Sequence, residues 1–226
     1  MSGTSHAAPL VAGCTAALRE AVKAKGTAAP GGALIKALLV NGAIDLAGSQ
    51  YLYKDVNGTD QHLVMPRAPN GIQGHGRVDL ERSLRCVYPL VKDHGGFWEV
   101  KHVQVLSDTN KAWTQTLAIP KDERVLRVTL AYTDPPGNIT NDEIYLSVET
   151  VDAHITTLEV VHPDVPTNPA YEDQNLLPVY VKENNLQKVT LNVDDAAVHA
   201  IIKVAPVTLA VDTLATFSVV YFFASE

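Results

Sequence analysis

Ser2-Gly3-Thr4-Ser5-His6-Ala7-Ala8-Pro9-Leu10-Val11-Ala12-Gly13 runs a glycine-containing turn into a stretch of small and apolar residues. From Ala7 to Ala17 almost every residue is apolar or small, and the first charges are Arg19 and Glu20. A helix apolar on all sides belongs inside a protein, so in a longer, complete protein this one is expected to lie against a parallel sheet, which these 226 residues are not expected to encode. Ser5 stands at its N-terminal end. There backbone N–H groups and the positive end of the helix dipole face an oxyanion held beside the hydroxyl. Pro9, which has no N–H, is best tolerated in about the first turn. From geometry alone the stretch fits two descriptions, a serine-capped buried helix and the seat of a nucleophilic serine.

Outward from this stretch, the first third reads as helical. Gly32 to Ala43 is expected to form a second helix, and Asp79 to Cys86 a short third one with Asp79 as its N-cap. Residues 48–70 read as loop, punctuated by Gly48, Asn57-Gly58, Pro66 and Pro69-Asn70. Around residues 88–96, Tyr88-Pro89 and His94-Gly95-Gly96 mark a change of pattern. Short β-rich runs follow: Phe97–Leu106, Trp113–Ile119, Val125–Tyr132, Ile144–Val151, Leu158–Val161, Leu177–Val181, Lys188–Val193, Val198–Val204 and Ala215–Phe223. Strands this short, with turn signals such as Asp134-Pro-Pro-Gly and Asn184-Asn185 between them, predict a sandwich or jelly roll. The expected organisation is therefore residues 1–90 as a mostly helical α/β fragment and residues 91–226 as an all-β jelly-roll or β-sandwich domain. The two are expected to separate under proteolysis between Pro89 and Phe97.

With 226 residues, 46% of them hydrophobic and 19% charged, the chain is ordinary globular material. No apolar run reaches the roughly 18 residues of a membrane helix. The net charge of −7 is uneven, because residues 91–226 hold most of the Asp and Glu. An acidic second half repels phosphate backbones, so nucleic acid is not an expected partner. Two cysteines, Cys14 and Cys86, are too few for a disulfide scaffold.

The opening string resembles the serine motif of subtilisin-like serine proteases, Gly-Thr-Ser-x-Ala-x-Pro-x-Val-Ala-Gly. It does so through Gly3, Thr4, Ser5, Ala7, Pro9, Val11, Ala12 and Gly13. Leu34-Ile-Lys-Ala-Leu-Leu-Val-Asn-Gly-Ala is similar to the next helix of that fold. Asn70-Gly71-Ile-Gln-Gly74-His-Gly76-Arg-Val-Asp-Leu-Glu-Arg-Ser-Leu is similar to its closing glycine-rich turn and helix. Val128-Thr-Leu-Ala-Tyr-Thr-Asp134-Pro-Pro-Gly and Asn141-Asp142 resemble the β-barrel that follows the catalytic domain in an alkaline, oxidation-stable subgroup.

The resemblance implies a serine endopeptidase acting on polypeptides, secreted by family habit and needing no cofactor for its chemistry. It implies Ser5 as the nucleophile, with its own backbone N–H as an oxyanion donor. In this family the triad runs Asp, His, Ser along the chain. The sequence is therefore expected to be the C-terminal part of a subtilase, inactive by itself. The rival reading is a non-catalytic β-sandwich binding or stabilising module carrying a vestigial peptidase segment. Its oligomeric state stays open.

Single residues offer further alternatives. His6 adjoins Ser5, but neighbours on a helix point about 100° apart, so its ring is not expected to face the hydroxyl. His62, His75, His94, His102, His154, His162 and His199 share no ligand spacing and read as solvated or capping residues. Gly71, Gly74 and Gly76 read as tight-turn glycines rather than a phosphate loop. Asp134, Asn141 and Asp142 are oxygen-rich and are the candidate ligands for a structural calcium, with plain turn chemistry as the alternative.

Overall fold

The computed structural model describes residues 3–104, 112–133, 143–161, 185–208 and 214–225. Three helices come first: α1 (Thr4–Ala24), α2 (Gly32–Gly42) and, after a hairpin of β1 (Gln50–Lys54) and β2 (Asp60–Val64), α3 (Leu80–Arg85). Strands follow: β3 (Gly95–Gln104), β4 (Trp113–Ala118), β5 (Val125–Tyr132), β6 (Glu143–Val151), β7 (Thr157–Val161), β8 (Leu186–Asn192), β9 (His199–Thr208) and β10 (Leu214–Ala224). These strands coincide closely with the β-rich runs of the sequence. The run Leu177–Val181 lies outside the described residues.

The strands form two four-stranded antiparallel sheets, in the orders β3-β10-β5-β8 and β4-β9-β6-β7. Leu126, Val128 and Leu130 of β5, Val189 and Leu191 of β8 and Phe217 and Val219 of β10 meet Ile144, Leu146, Val148 and Ile202 of the other sheet in one buried cluster. This is a β-sandwich. The buried Gln187 of β8 crosses between the layers. It donates to the Ile144 carbonyl at 2.7 Å and accepts from the Leu146 N–H at 2.8 Å. Those backbone groups lie beside an irregular register of β6 on β9, where the ladder cannot pair every backbone group.

The outer face of the first sheet is covered by helices. A second apolar cluster joins Leu18 and Val22 of α1, Leu34, Ile35 and Leu38 of α2 and Cys86 to Ala131, Leu186 and Val220 of the sheet. The division at residues 90 and 91 falls in the turn between α3 and β3, and this cluster spans it. Strand β5 is consequently buried on both sides for nearly its whole length, although its sequence alternates.

Helix α2 is fixed to the sheet at three points. Glu99 of β3 accepts from the Gly31 N–H at its start, 2.7 Å away, and Lys188 of β8 donates to the Val40 carbonyl near its end at 3.1 Å. Each charge has the sign that complements its end of the helix dipole. Between them the buried Asn41 side-chain amide donates to the carbonyls of Arg127 and Val220 and to Thr129 Oγ1. At Gly42 a Cβ would lie 2.5 Å from the Ser83 backbone nitrogen, so only glycine lets α2 and α3 approach this closely.

One expectation fails here. Residues 48–70 are not plain loop. They contain the β1–β2 hairpin, whose Asn57-Gly58 turn is held by Asp55 Oδ1 accepting from the Asn57 and Thr59 N–H groups. The apolar stretch Ala7–Ala17 lies largely in the open, without the sheet it is expected to meet in a longer protein. Residues 3–13 are exposed, Leu10 to 73%, and α1 buries Leu18 and Val22 instead. No parallel sheet underlies the helix among the described residues.

Candidate functional site

Ser5 is the second residue of α1, two residues after Gly3, whose φ of 137° is open chiefly to glycine. The carbonyl of Gly3 accepts from the N–H groups of both His6 and Ala7, at 3.1 and 3.2 Å, and this closes the first turn. Ser5 therefore sits at a helix start with its hydroxyl exposed. Pro9 lies inside the helix, four residues on, and cannot donate to the Ser5 carbonyl. His6 follows directly on the same exposed turn, and no side-chain hydrogen bond to Ser5 forms among the described residues. The hydroxyl thus lacks an imidazole partner, which a serine needs to act as a strong nucleophile.

The glycine-rich turn behaves as its residues predict. Asn70 Oδ1 accepts from the Ile72 and Gln73 N–H groups, and Asn70 pairs with Gly74. Gly76, at φ 111°, passes so close to the Ile44 carbonyl that a Cβ would collide with it. Asp79 caps α3 by accepting from the Arg82 N–H at 2.8 Å. The candidate calcium ligands Asp134, Asn141 and Asp142 lie outside the described residues. Among the described residues no three His, Cys, Asp or Glu side chains gather around a common point.

The family model for subtilases matches residues 1–76. The match covers about a third of the chain. The match takes in Ser5, the second helix and most of the glycine-rich turn, and it ends before α3 and the sandwich. A search among curated proteins returns no match. Among solved structures, a serine protease of Aeromonas sobria in complex with its chaperone is 12% identical, with a TM-score of 0.30. The alignment covers 100% of this chain and 44% of the protease. A xylan-binding domain from Paenibacillus barcinonensis is 9% identical over 57% of this chain and 83% of its own, with a TM-score of 0.28. Scores this low do not establish a common fold with either. This chain spans less than half the length of the Aeromonas protease.

One histidine departs from its expected role. His75 is half-buried, its Nδ1 has no hydrogen-bond partner, and its pKa is pushed down to about 4 by burial and then by Lys188 and Lys36. It lines a pocket with Arg67, Arg82, Arg127 and Lys188. These five residues come from four separate segments, so no local motif in the sequence announces them. Cys86 is inert by contrast, its thiol pushed up to about 12 by burial.

Proposed function

We propose that residues 1–76 supply the nucleophile of a subtilisin-like serine endopeptidase and that the β-sandwich is its jelly-roll companion domain. The observation that carries the reading is the subtilase match, which includes Ser5 at the start of α1. In the reaction, Ser5 Oγ attacks a peptide carbonyl while a histidine takes its proton, and the Ser5 N–H donates to the oxyanion. The Asp and His of the triad belong to segments that precede the serine in this family's order. The jelly-roll reading is supported by the strand orders. Counting the eight described sandwich strands from β3, the sheets run first-eighth-third-sixth and second-seventh-fourth-fifth, the order of two interleaved Greek keys. A polypeptide substrate and a secreted location accompany the family reading. The described residues contain no helix long and apolar enough to cross a membrane.

With no imidazole paired to Ser5 among the described residues, the 226-residue chain is expected to be inert by itself. Losing Ser or His of the triad costs subtilisin on the order of 10⁶ in kcat. A fluorophosphonate probe followed by peptide mapping tests the reading. Residues 1–226 alone should show background labelling at Ser5. The same residues joined behind a segment that supplies the subtilase Asp and His should be labelled at Ser5. Strong labelling of the isolated chain, or labelling of the joined protein at another serine, contradicts it.

A further inference from the structure

The pocket beside His75 encloses about 300 Å³ between the glycine-rich segment, α3 and the outer face of β5 and β8. Its charge is lopsided. Arg127 and Lys188 rise from adjacent strands, Arg82 leans in from α3, and Arg67 stands at the exposed rim. Asp45, the carboxylate on the wall, is already engaged by the N–H groups of Ala47 and Ala68 and by the Gln73 amide.

Arg127 is the decisive residue. It is 6% exposed, and its Nε, fully enclosed, has no hydrogen-bond partner. Its guanidinium lies over the Phe222 ring, 5.3 Å from the centroid, and no carboxylate pairs with it among the described residues. A buried cation is retained at a cost unless an anion or a full set of acceptors meets it. His75 lines the same pocket, and its Nδ1 is a second enclosed polar atom without a partner. Both residues line one basic pocket, a place where acceptor oxygens would meet cationic groups that the fold leaves without a full set of partners.

We propose that this pocket binds a doubly charged oxyanion, inorganic phosphate or sulfate or such a group on a small molecule, with Arg127 and Arg82 donating to it. Lys188 adds positive potential while keeping its bond to the Val40 carbonyl. Carboxylates, singly charged and planar, bind less tightly to a site with donors on several sides. The pocket is independent of Ser5, and its occupancy does not depend on the peptidase reading.

Calorimetric titration of the full chain with sodium phosphate, at ionic strength fixed with sodium chloride, tests this. Phosphate and sulfate should bind saturably at one site, and acetate at least about tenfold more weakly. Arg82→Gln, on the half-exposed side of the pocket, should weaken phosphate by about tenfold or more, the scale of one charge-assisted hydrogen bond. Arg127→Met should abolish binding while circular dichroism reports the fold. Arg19→Gln, an equal charge change on α1, should leave binding unaltered. Phosphate should also raise the pKa of His75 in a proton NMR titration, because a neighbouring dianion favours the imidazolium. If phosphate gives no saturable heat, the proposal fails. It fails equally if Arg82→Gln and Arg19→Gln weaken binding alike, which would mean bulk charge, or if the His75 titration does not move.

Discussion

Ser5 and Arg127 show two ways in which a residue is or is not legible. Ser5 stands out as a candidate because its neighbours Gly3, Thr4, Ala7, Pro9 and Gly13 form a short local string, and the subtilase match includes them. Arg127 does not, because alternation along β5 assigns it to a solvent face, and only the helix layer turns that face inward. His75 likewise owes its environment to Lys188 and Lys36, far away in sequence. Its pKa of about 4 lies below the unfolded value of 6.5. As pH falls from about 6.5 the unfolded chain takes up this proton first, so stability drops until about pH 4 and this contribution is then constant. The loss is at most on the order of 3 kcal/mol for so large a shift. Urea unfolding at pH 7 and pH 4.5 should show a steeper loss for the native chain than for His75→Gln. Cys86 gives a simpler expectation: iodoacetamide at pH 8 should leave it unmodified until denaturant is added.

At the scale of elements, α2 and α3 are where sequence reading succeeds most fully. The Leu34, Ile35, Leu38 stripe and the Asp79 cap are local signals, and the structure uses both. The β1–β2 hairpin was missed for an equally physical reason. Its strands are largely exposed and carry no clean apolar alternation, so Asn57-Gly58 read as loop punctuation rather than as a hairpin turn. The attachment of α2 to the sheet could not be read at all, since Asn41, Glu99 and Lys188 meet only in the fold. Asn41→Ala removes a buried donor from three acceptors. It should lower stability by about 1–3 kcal/mol in a denaturant titration. A change within a few tenths of a kcal/mol would mean that Asn41 is not what ties α2 to the sheet.

At the scale of the whole molecule, helices and sandwich share an apolar cluster. Fully burying a side chain such as Leu34 or Leu38 stabilises by roughly 1.5–3 kcal/mol. Several such residues lie between α2 and the first sheet, so α2 and α3 should not be shed as easily as sequence patterning suggests. Limited proteolysis is expected to nick the exposed start of α1 and the hairpin tip near Val56, leaving α2 and α3 with the sandwich. A stable product beginning between Pro89 and Phe97 would contradict that packing. The exposed apolar residues Leu10 and Val11 fit a helix that in a subtilase would meet a sheet. The central claim, that Ser5 is a peptidase nucleophile, is tested most directly by hydrolysis of casein. The substrate is offered to residues 1–226 joined behind the subtilase Asp and His segments, with and without Ser5→Ala. The account predicts turnover in the joined protein and none after Ser5→Ala, with an unchanged circular dichroism spectrum. Casein cleavage that survives Ser5→Ala at a near-normal rate would contradict it.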